Sequence, residues 1–179
     1  MNYNIKAIPT TYAGVNFRSR LEARWAAFFD LCGWKWDYEP FDLDGWAPDF
    51  LIKTKFTDVL AEIKPLDIER VLGTAEILEF EKACNHSIFY QVMCLGYAPL
   101  CKSVAPGSIL MPPNNATYVH EDVVRELSVP QFDKETGELY DHDELWREAG
   151  NRVQWNRHEE QPSAAEIVRR AVNKARIAA

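Results

Sequence analysis

The sequence predicts a single α/β domain, a mixed central sheet flanked by helices, with a loop-rich and helical C-terminal extension. Three observations favour this class. A helical repeat of apolar residues occupies 15–33, and three short segments rich in aromatic and β-branched residues follow it. A second helical repeat and a buried apolar run then give the order helix, three strands, helix, strand. With 179 residues and 47% hydrophobic content, the chain can fill one ordinary core.

The first helix is predicted over 15–33, the run VNFRSRLEARWAAFFDLCG. Gly33 follows the apolar repeat as a stop signal. The residues that recur at helical spacing are Phe17, Leu21, Trp25, Phe28 and Cys32.

Three consecutive strands are predicted at 34–40, 46–54 and 57–65, as an antiparallel meander. The last two form a hairpin with a tight turn at Lys55-Phe56 in a register that places Asp49 opposite Glu62. Lys64 then joins these two carboxylates on one face. The other face is entirely apolar, so a slip of one residue would bury the charges, and the register is strongly specified.

A second helix is expected from about Asp67 to Cys84, and a buried strand is expected in the run SIFYQVMCLG, 87–96. The pattern weakens beyond residue 96. There we expect a short strand at 108–111, a turn at 133–139, and helices at 143–156 and 163–179.

The predicted organisation is a core over 1–96, a loop-rich acidic extension of the same domain over 97–150, and a basic C-terminal helix within 151–179. The net charge of −7 argues against a protein that coats nucleic acid non-specifically. The whole acidic excess lies in 120–150, which has 10 acidic and 3 basic residues.

The compartment is predicted to be the cytoplasm, and no membrane partner is expected. No run of about 18 apolar residues occurs, and the first residues lack a secretory pattern. The 4 cysteines form no CxxC pair and are expected to be reduced and mostly buried. The 4 histidines have no metal-ligand spacing.

The hairpin register brings like charges together, which calls for compensation. Opposed residues have Cβ atoms about 5 Å apart, and like charges near 4 Å repel by about 4 kcal/mol at an effective dielectric of about 20. Lys64 offsets part of this repulsion, and Mg²⁺, a hard cation that binds carboxylates and water, offsets it better. Glu22 lies at the edge of the first helix's apolar stripe, where it can lean over the same cluster as a third carboxylate.

A helix bearing Glu22, then PDF with Asp49, then EIK with Glu62 and Lys64, resembles the PD-(D/E)xK nuclease superfamily, which has the restriction-endonuclease-like fold. The stretch YAGVNFRSRLEARWAAFFDLCGWKWDYEP, ahead of APDF and AEIKP, looks like small members encoded by bacteriophages and mobile elements, which implies the cytoplasm of a bacterial host cell. The resemblance covers about residues 12–95, and 100–179 have no counterpart.

The resemblance implies a metal-dependent nuclease that hydrolyses phosphodiester bonds with a Mg²⁺-activated water. It implies DNA rather than RNA as the substrate, and an endonuclease rather than an exonuclease. Asp49 and Glu62 would hold Mg²⁺, or Mn²⁺ as a substitute, with the backbone carbonyl of Ile63. Lys64 would orient or help deprotonate the water, and Glu22 would assist through a second metal site or a water.

Several basic residues are candidates for nucleic-acid binding, each with an alternative as a solvated helix face. They are Arg18, Arg20 and Arg24 in the first helix, and Arg169, Arg170 and Lys174 in the C-terminal helix.

Other interpretations of the charged residues stay open. Glu62 and Lys64 could be an ordinary exposed pair, with Asp49 capping a turn, and Glu39 is interpreted as a strand-end residue near the site. The acidic balance suggests either a restricted DNA structure as substrate or a protein partner that delivers it. The alternative function is a catalytically silent nuclease-fold module that binds or inhibits a protein. The oligomeric state stays open.

Overall fold

The computed structural model describes residues 7–71, 74–100, 105–110, 117–127 and 142–154. The strands in chain order are β1 (Thr10–Tyr12), β2 (Val15–Phe17), β3 (Lys35–Tyr38), β4 (Phe50–Lys53), β5 (Asp58–Ile63), β6 (Gln91–Leu95) and β7 (Ser108–Leu110). The α-helices are α1 (Arg20–Leu31), α2 (Ile68–Val71), α3 (Glu81–His86), α4 (Thr117–Glu126) and α5 (His142–Arg152). A 3₁₀ helix, Ala75–Phe80, precedes α3.

The architecture is mixed α/β, as predicted. Strands β3, β4, β5, β6 and β7 lie in that order in one sheet, where β5 and β6 are parallel and the other neighbours antiparallel. Strands β1 and β2 form a separate antiparallel hairpin. No helix of the described ranges is long and apolar enough to cross a membrane.

The predicted register of the β4–β5 hairpin is confirmed. Phe50 pairs with Ala61, and Lys53 pairs with Asp58. The connecting loop is longer than the predicted two-residue turn, because pairing ends at Lys53 and the Thr54 side chain closes the loop: its hydroxyl donates to the carbonyl of Thr57 at 2.6 Å.

The first helix begins later than predicted. Residues 15–17 form β2, which is joined to β1 by a turn at Ala13 and Gly14 with φ of 49° and 80°. Two consecutive positive φ values are typical of a tight hairpin. Ser19 then caps α1 by accepting the N–H of Glu22 at 3.1 Å, so the helix starts at Arg20.

The prediction of one continuous second helix is wrong. The chain forms α2, the 3₁₀ helix and α3 in place of one helix, with Thr74 capping the 3₁₀ segment through the N–H of Glu76. Ile68 and Val71 are buried, but Leu78 is 63% exposed, so these three apolar residues do not share one buried face.

The predicted strand at 87–96 is shorter than expected, because Ile88 and Phe89 are exposed and β6 begins at Gln91. Strand β7 and helix α5 confirm the predictions near them, whereas α4 was not predicted. The predicted turn at 133–139 and the C-terminal helix with Arg169, Arg170 and Lys174 lie outside the described residues.

The sheet separates two apolar clusters; α1 covers one of its faces, and α5 packs on α1. The predicted apolar face of the hairpin is confirmed, since all of its residues belong to the cluster under α1: Phe50, Ile52, Val59, Ala61 and Ile63. Leu60 points the other way, toward the cluster that contains Trp46, Ile68 and Phe80. Glu62 alternates with the apolar set and therefore lies on this second face.

Candidate active site

The predicted carboxylates meet where β4 begins and β5 ends. Asp49 directly precedes β4, and Glu62 and Ile63 are the last two residues of β5. Since the strands are antiparallel, the start of β4 and the end of β5 lie at the same end of the strand pair. They open into a cleft of about 390 Å³ lined by Arg18, Glu22, Gly45, Trp46, Ala47, Asp49, Glu62, Ile63, Lys64 and Lys82.

Asp49 is buried, and both of its carboxylate oxygens accept hydrogen bonds. Its Oδ2 accepts the backbone N–H of Ile63 at 2.7 Å, and its Oδ1 accepts Arg18 Nη2 at 2.5 Å. Burial is the main reason that the pKa of Asp49 rises to about 7, and the charges of Glu62 and Glu22 add to it. The Ile63 N–H and the Arg18 charge oppose the rise in pKa.

Glu62 is held on both carboxylate oxygens. Trp46 Nε1 donates to Oε2 at 2.8 Å, and Lys64 Nζ lies 2.7 Å from Oε1. The backbone of Lys64 is fixed as well, because its N–H donates to the carbonyl of Leu95 at 3.0 Å. The sequence did not predict this indole contact.

Glu22 lines the cleft, as its predicted place at the rim requires. Its Oε1 accepts the hydroxyl of Ser19 at 2.7 Å, and its Oε2 accepts the hydroxyl of Tyr38 at 2.5 Å. The S-x-x-E spacing of Ser19 and Glu22 is a capping-box signal that could have located the helix start. The metal or water role of Glu22 stays a prediction.

Arg18 lies among three carboxylates. Besides Asp49, its guanidinium contacts Glu39 (Nε to Oε1, 3.0 Å) and approaches Glu22 (Nε to Oε2, 3.9 Å). Glu39, interpreted from sequence as a strand-end residue, has a positive φ of 43°, and its N–H donates to the carbonyl of Asp49 at 2.9 Å. Such a backbone conformation is uncommon outside glycine and is often found at functional sites.

Arg20 and Arg24, the other predicted nucleic-acid contacts in α1, do not line this cleft. Arg24 donates twice to the carbonyl of Trp146, at 3.0 and 2.6 Å, and stacks 4.0 Å from its ring centroid. Arg24 therefore joins α1 to α5. Arg20 and Arg24 line a second cleft of about 400 Å³ together with Arg147 of α5.

The donor set of the first cleft fits a hard divalent cation. Among the described residues, no three His, Cys, Asp or Glu side chains converge as a ready metal site. Asp49 and Glu62 still supply carboxylate oxygens, each of which has a second lone pair beside its present hydrogen bond. Mg²⁺ commonly takes one or two carboxylates and keeps several waters, so two protein ligands suffice.

Contacts within the protein hold the carboxylates of this cleft in place. Each of the six oxygens of Glu22, Asp49 and Glu62 accepts a hydrogen bond or an ion-pair contact from a protein group, so the three side chains are held in place.

No family model, curated protein or solved structure gives a significant match to this chain.

Proposed function

We propose that this protein is a metal-dependent nuclease that hydrolyses phosphodiester bonds, with DNA as its substrate. The observation that carries the proposal is that Asp49, Glu62 and Lys64 lie together at one end of strands β4 and β5 and line one open cleft. The motif resemblance points to the same three residues.

The burial of these carboxylates supports a functional role. Asp49 and Glu62 are only 5% and 8% exposed, although the surface offers ample room for charge. Buried like charges destabilise a fold, and perturbed carboxylates in a cleft are more frequent at functional sites. The raised pKa of Asp49 reflects this cost.

The residues can divide the work as phosphodiester hydrolysis requires. Asp49 and Glu62 would hold the divalent ion, with the Ile63 carbonyl as a further ligand. When bound, the ion would supply an activated water and polarise a phosphoryl oxygen. Lys64, already oriented by Glu62, would hold the attacking water or its proton and stabilise charge on the phosphate.

With a divalent ion bound beside its carboxylates, the cleft would favour an anionic substrate. Arg18, Lys64 and Lys82 all line it, even though the whole chain carries a net charge of −7. A phosphate backbone can be attracted locally while binding elsewhere on the surface is discouraged. This contrast favours a restricted DNA structure, or a partner that delivers the DNA, over general coating.

The test is cleavage by the purified chain with Mg²⁺ or Mn²⁺, against supercoiled plasmid, linear duplex, single-stranded DNA and RNA. We expect metal-dependent cutting of DNA and a loss of at least about 100-fold in Asp49→Asn, Glu62→Gln and Lys64→Ala, the scale of removing one charge-stabilising group. The matched control is Asp37→Asn, which neutralises an exposed carboxylate paired with Lys53 outside the cleft.

Two results would refute the proposal. The first is that no substrate is cut while the folded chain binds neither Mg²⁺ nor Mn²⁺, which would turn attention to the silent protein-binding alternative. The second is cutting that persists in all three cleft variants, because the activity would then come from elsewhere.

A further inference from the structure

We propose that Arg18 takes the place of a second divalent cation, so that the native chain binds a single metal ion, at Asp49 and Glu62. This inference rests on the proposed function, since it concerns the same metal site. It assigns Arg18 a role as a built-in cation in place of the simple phosphate contact expected from the sequence.

The position of Arg18 supports this role. A second ion would need carboxylates beside Asp49 other than Glu62, and the carboxylates that Arg18 contacts besides Asp49 are Glu22 and Glu39. The Arg18 guanidinium already lies within 4 Å of all three, at 2.5 Å from Asp49, 3.0 Å from Glu39 and 3.9 Å from Glu22.

The charge balance points the same way. Four carboxylates, those of Glu22, Glu39, Asp49 and Glu62, are contacted by the two cations Arg18 and Lys64. When all of these contacting groups are ionised, the carboxylates exceed the cations by two charges, which one divalent ion balances. A second ion beside Arg18 would make this cluster positive and would bring two cations into repulsion.

Arg18 is held in place, although its side chain is 57% exposed. Its backbone N–H donates to the Tyr38 hydroxyl at 3.2 Å, and that hydroxyl donates in turn to Glu22. Glu39, next in the chain to Tyr38, holds the guanidinium from the other side. One tyrosine thus fixes both the backbone of Arg18 and the Oε2 oxygen of Glu22.

A guanidinium suits the place of a second ion. It stays charged at every relevant pH and is more weakly hydrated than an ammonium group, so it can remain beside carboxylates as a substrate enters. The contacts with Asp49 and Glu39 use Nη2 and Nε, which leaves further N–H groups for a phosphate oxygen.

The test counts bound Mn²⁺ by the loss of its free electron-paramagnetic-resonance signal during titration of the full chain. Asp49→Asn gives the baseline for weak binding to other carboxylates. Above that baseline we expect one ion in the native chain, two in Arg18→Gln, and one again in Arg18→Gln/Glu39→Gln. Arg125→Gln, which removes an exposed arginine of α4 paired with Asp122, is the matched control and should bind one ion.

The counts separate this inference from the proposed function. Two ions in the native chain, or one in Arg18→Gln, would overturn the inference and leave the nuclease proposal intact. No ion in the native chain would overturn both. If Arg18→Gln folds only with Mn²⁺, the dependence of its unfolding midpoint on Mn²⁺ concentration gives the number of ions, and a value of one again overturns the inference.

Discussion

The side chain of Asp49 continues the β4–β5 ladder beyond its last backbone pair, because Oδ2 accepts the N–H of Ile63 at 2.7 Å. The same carboxylate therefore shapes the end of β5 and faces the cleft. Any change at Asp49 has to be judged on both stability and chemistry.

The stability of the metal-free chain should depend on the protonation of Asp49. Burial and nearby carboxylates raise its pKa from 3.8 to about 7, so the folded state holds a proton that the unfolded state releases. This contribution to stability is full below the unfolded pKa and is lost as the pH rises through about 7. The loss is on the order of 1.4 kcal/mol for each unit between the two pKa values.

Urea unfolding from pH 4 to 8, without metal, measures this effect against Asp49→Asn, which keeps an acceptor for Ile63 but does not ionise. The difference in unfolding free energy, native minus variant, should fall as the pH rises. A difference that stays constant or rises with pH would contradict the raised pKa.

The sequence predicted the hairpin register and the meeting of Asp49 and Glu62 because period-2 alternation determines both. It could not predict that Trp46 would bond Glu62 or that Glu39 would bind Arg18, since those contacts come from loop residues. The division into separate helices was missed because a helical apolar spacing continues through the whole run, although the Thr74 cap starts a new segment. Helix α4 was missed in a passage of weak periodicity.

Removal of the indole donor from Glu62 should weaken metal binding. Trp46→Phe keeps an aromatic ring in the cluster beside Leu60 and Phe80 but loses the 2.8 Å bond to Oε2. We expect the Mn²⁺ dissociation constant to rise at least about 10-fold, as for other lost supports of a ligand. Isothermal titration calorimetry measures it.

Trp36→Phe is the matched control, because the Trp36 indole also bonds a carboxylate, that of Asp30, outside the cleft. The Mn²⁺ dissociation constant of Trp36→Phe should equal that of the native chain. Equal weakening in both variants would indicate a general loss of packing and would contradict the proposed support of Glu62.

The Tyr38 hydroxyl should contribute measurably to stability through Glu22. Tyr38→Phe leaves buried Glu22 without the donor to Oε2 and the Arg18 N–H without its acceptor. We expect a loss of about 2 kcal/mol in unfolding free energy at pH 7, typical of hydrogen bonds to charged groups.

Tyr12→Phe removes a tyrosine bond to an exposed aspartate, Asp30, at 2.9 Å and should cost less than about 1 kcal/mol, as exposed pairs do. Chemical denaturation of both variants measures the difference. A Tyr38→Phe chain as stable as Tyr12→Phe would argue against the bridging role.

The lack of a side chain at Gly150 leaves room for the guanidinium of Arg24, which joins α1 to α5. A Cβ at this position would lie 3.1 Å from Cζ, Nε and Nη2 of Arg24, whose guanidinium is held by the ring and carbonyl of Trp146. Alanine normally stabilises a helix by up to about 1 kcal/mol relative to glycine. We therefore expect Gly150→Ala to destabilise the native chain and to stabilise an Arg24→Ala chain.

A double-mutant cycle of thermal or chemical unfolding tests this change of sign. If Gly150→Ala stabilises both backgrounds equally, the guanidinium moves aside freely and does not clamp α5.

The packing of α5 on α1 limits how modular this protein can be. Trp146 lies against Trp25 at 4.7 Å and Phe28 at 5.9 Å between ring centroids, and Leu145, Ala149 and Val153 belong to the same core cluster. The segment after residue 96 is thus partly core. Replacement of that segment would also remove part of the wall of the hydrophobic core, so its sequence cannot be exchanged without a change in stability.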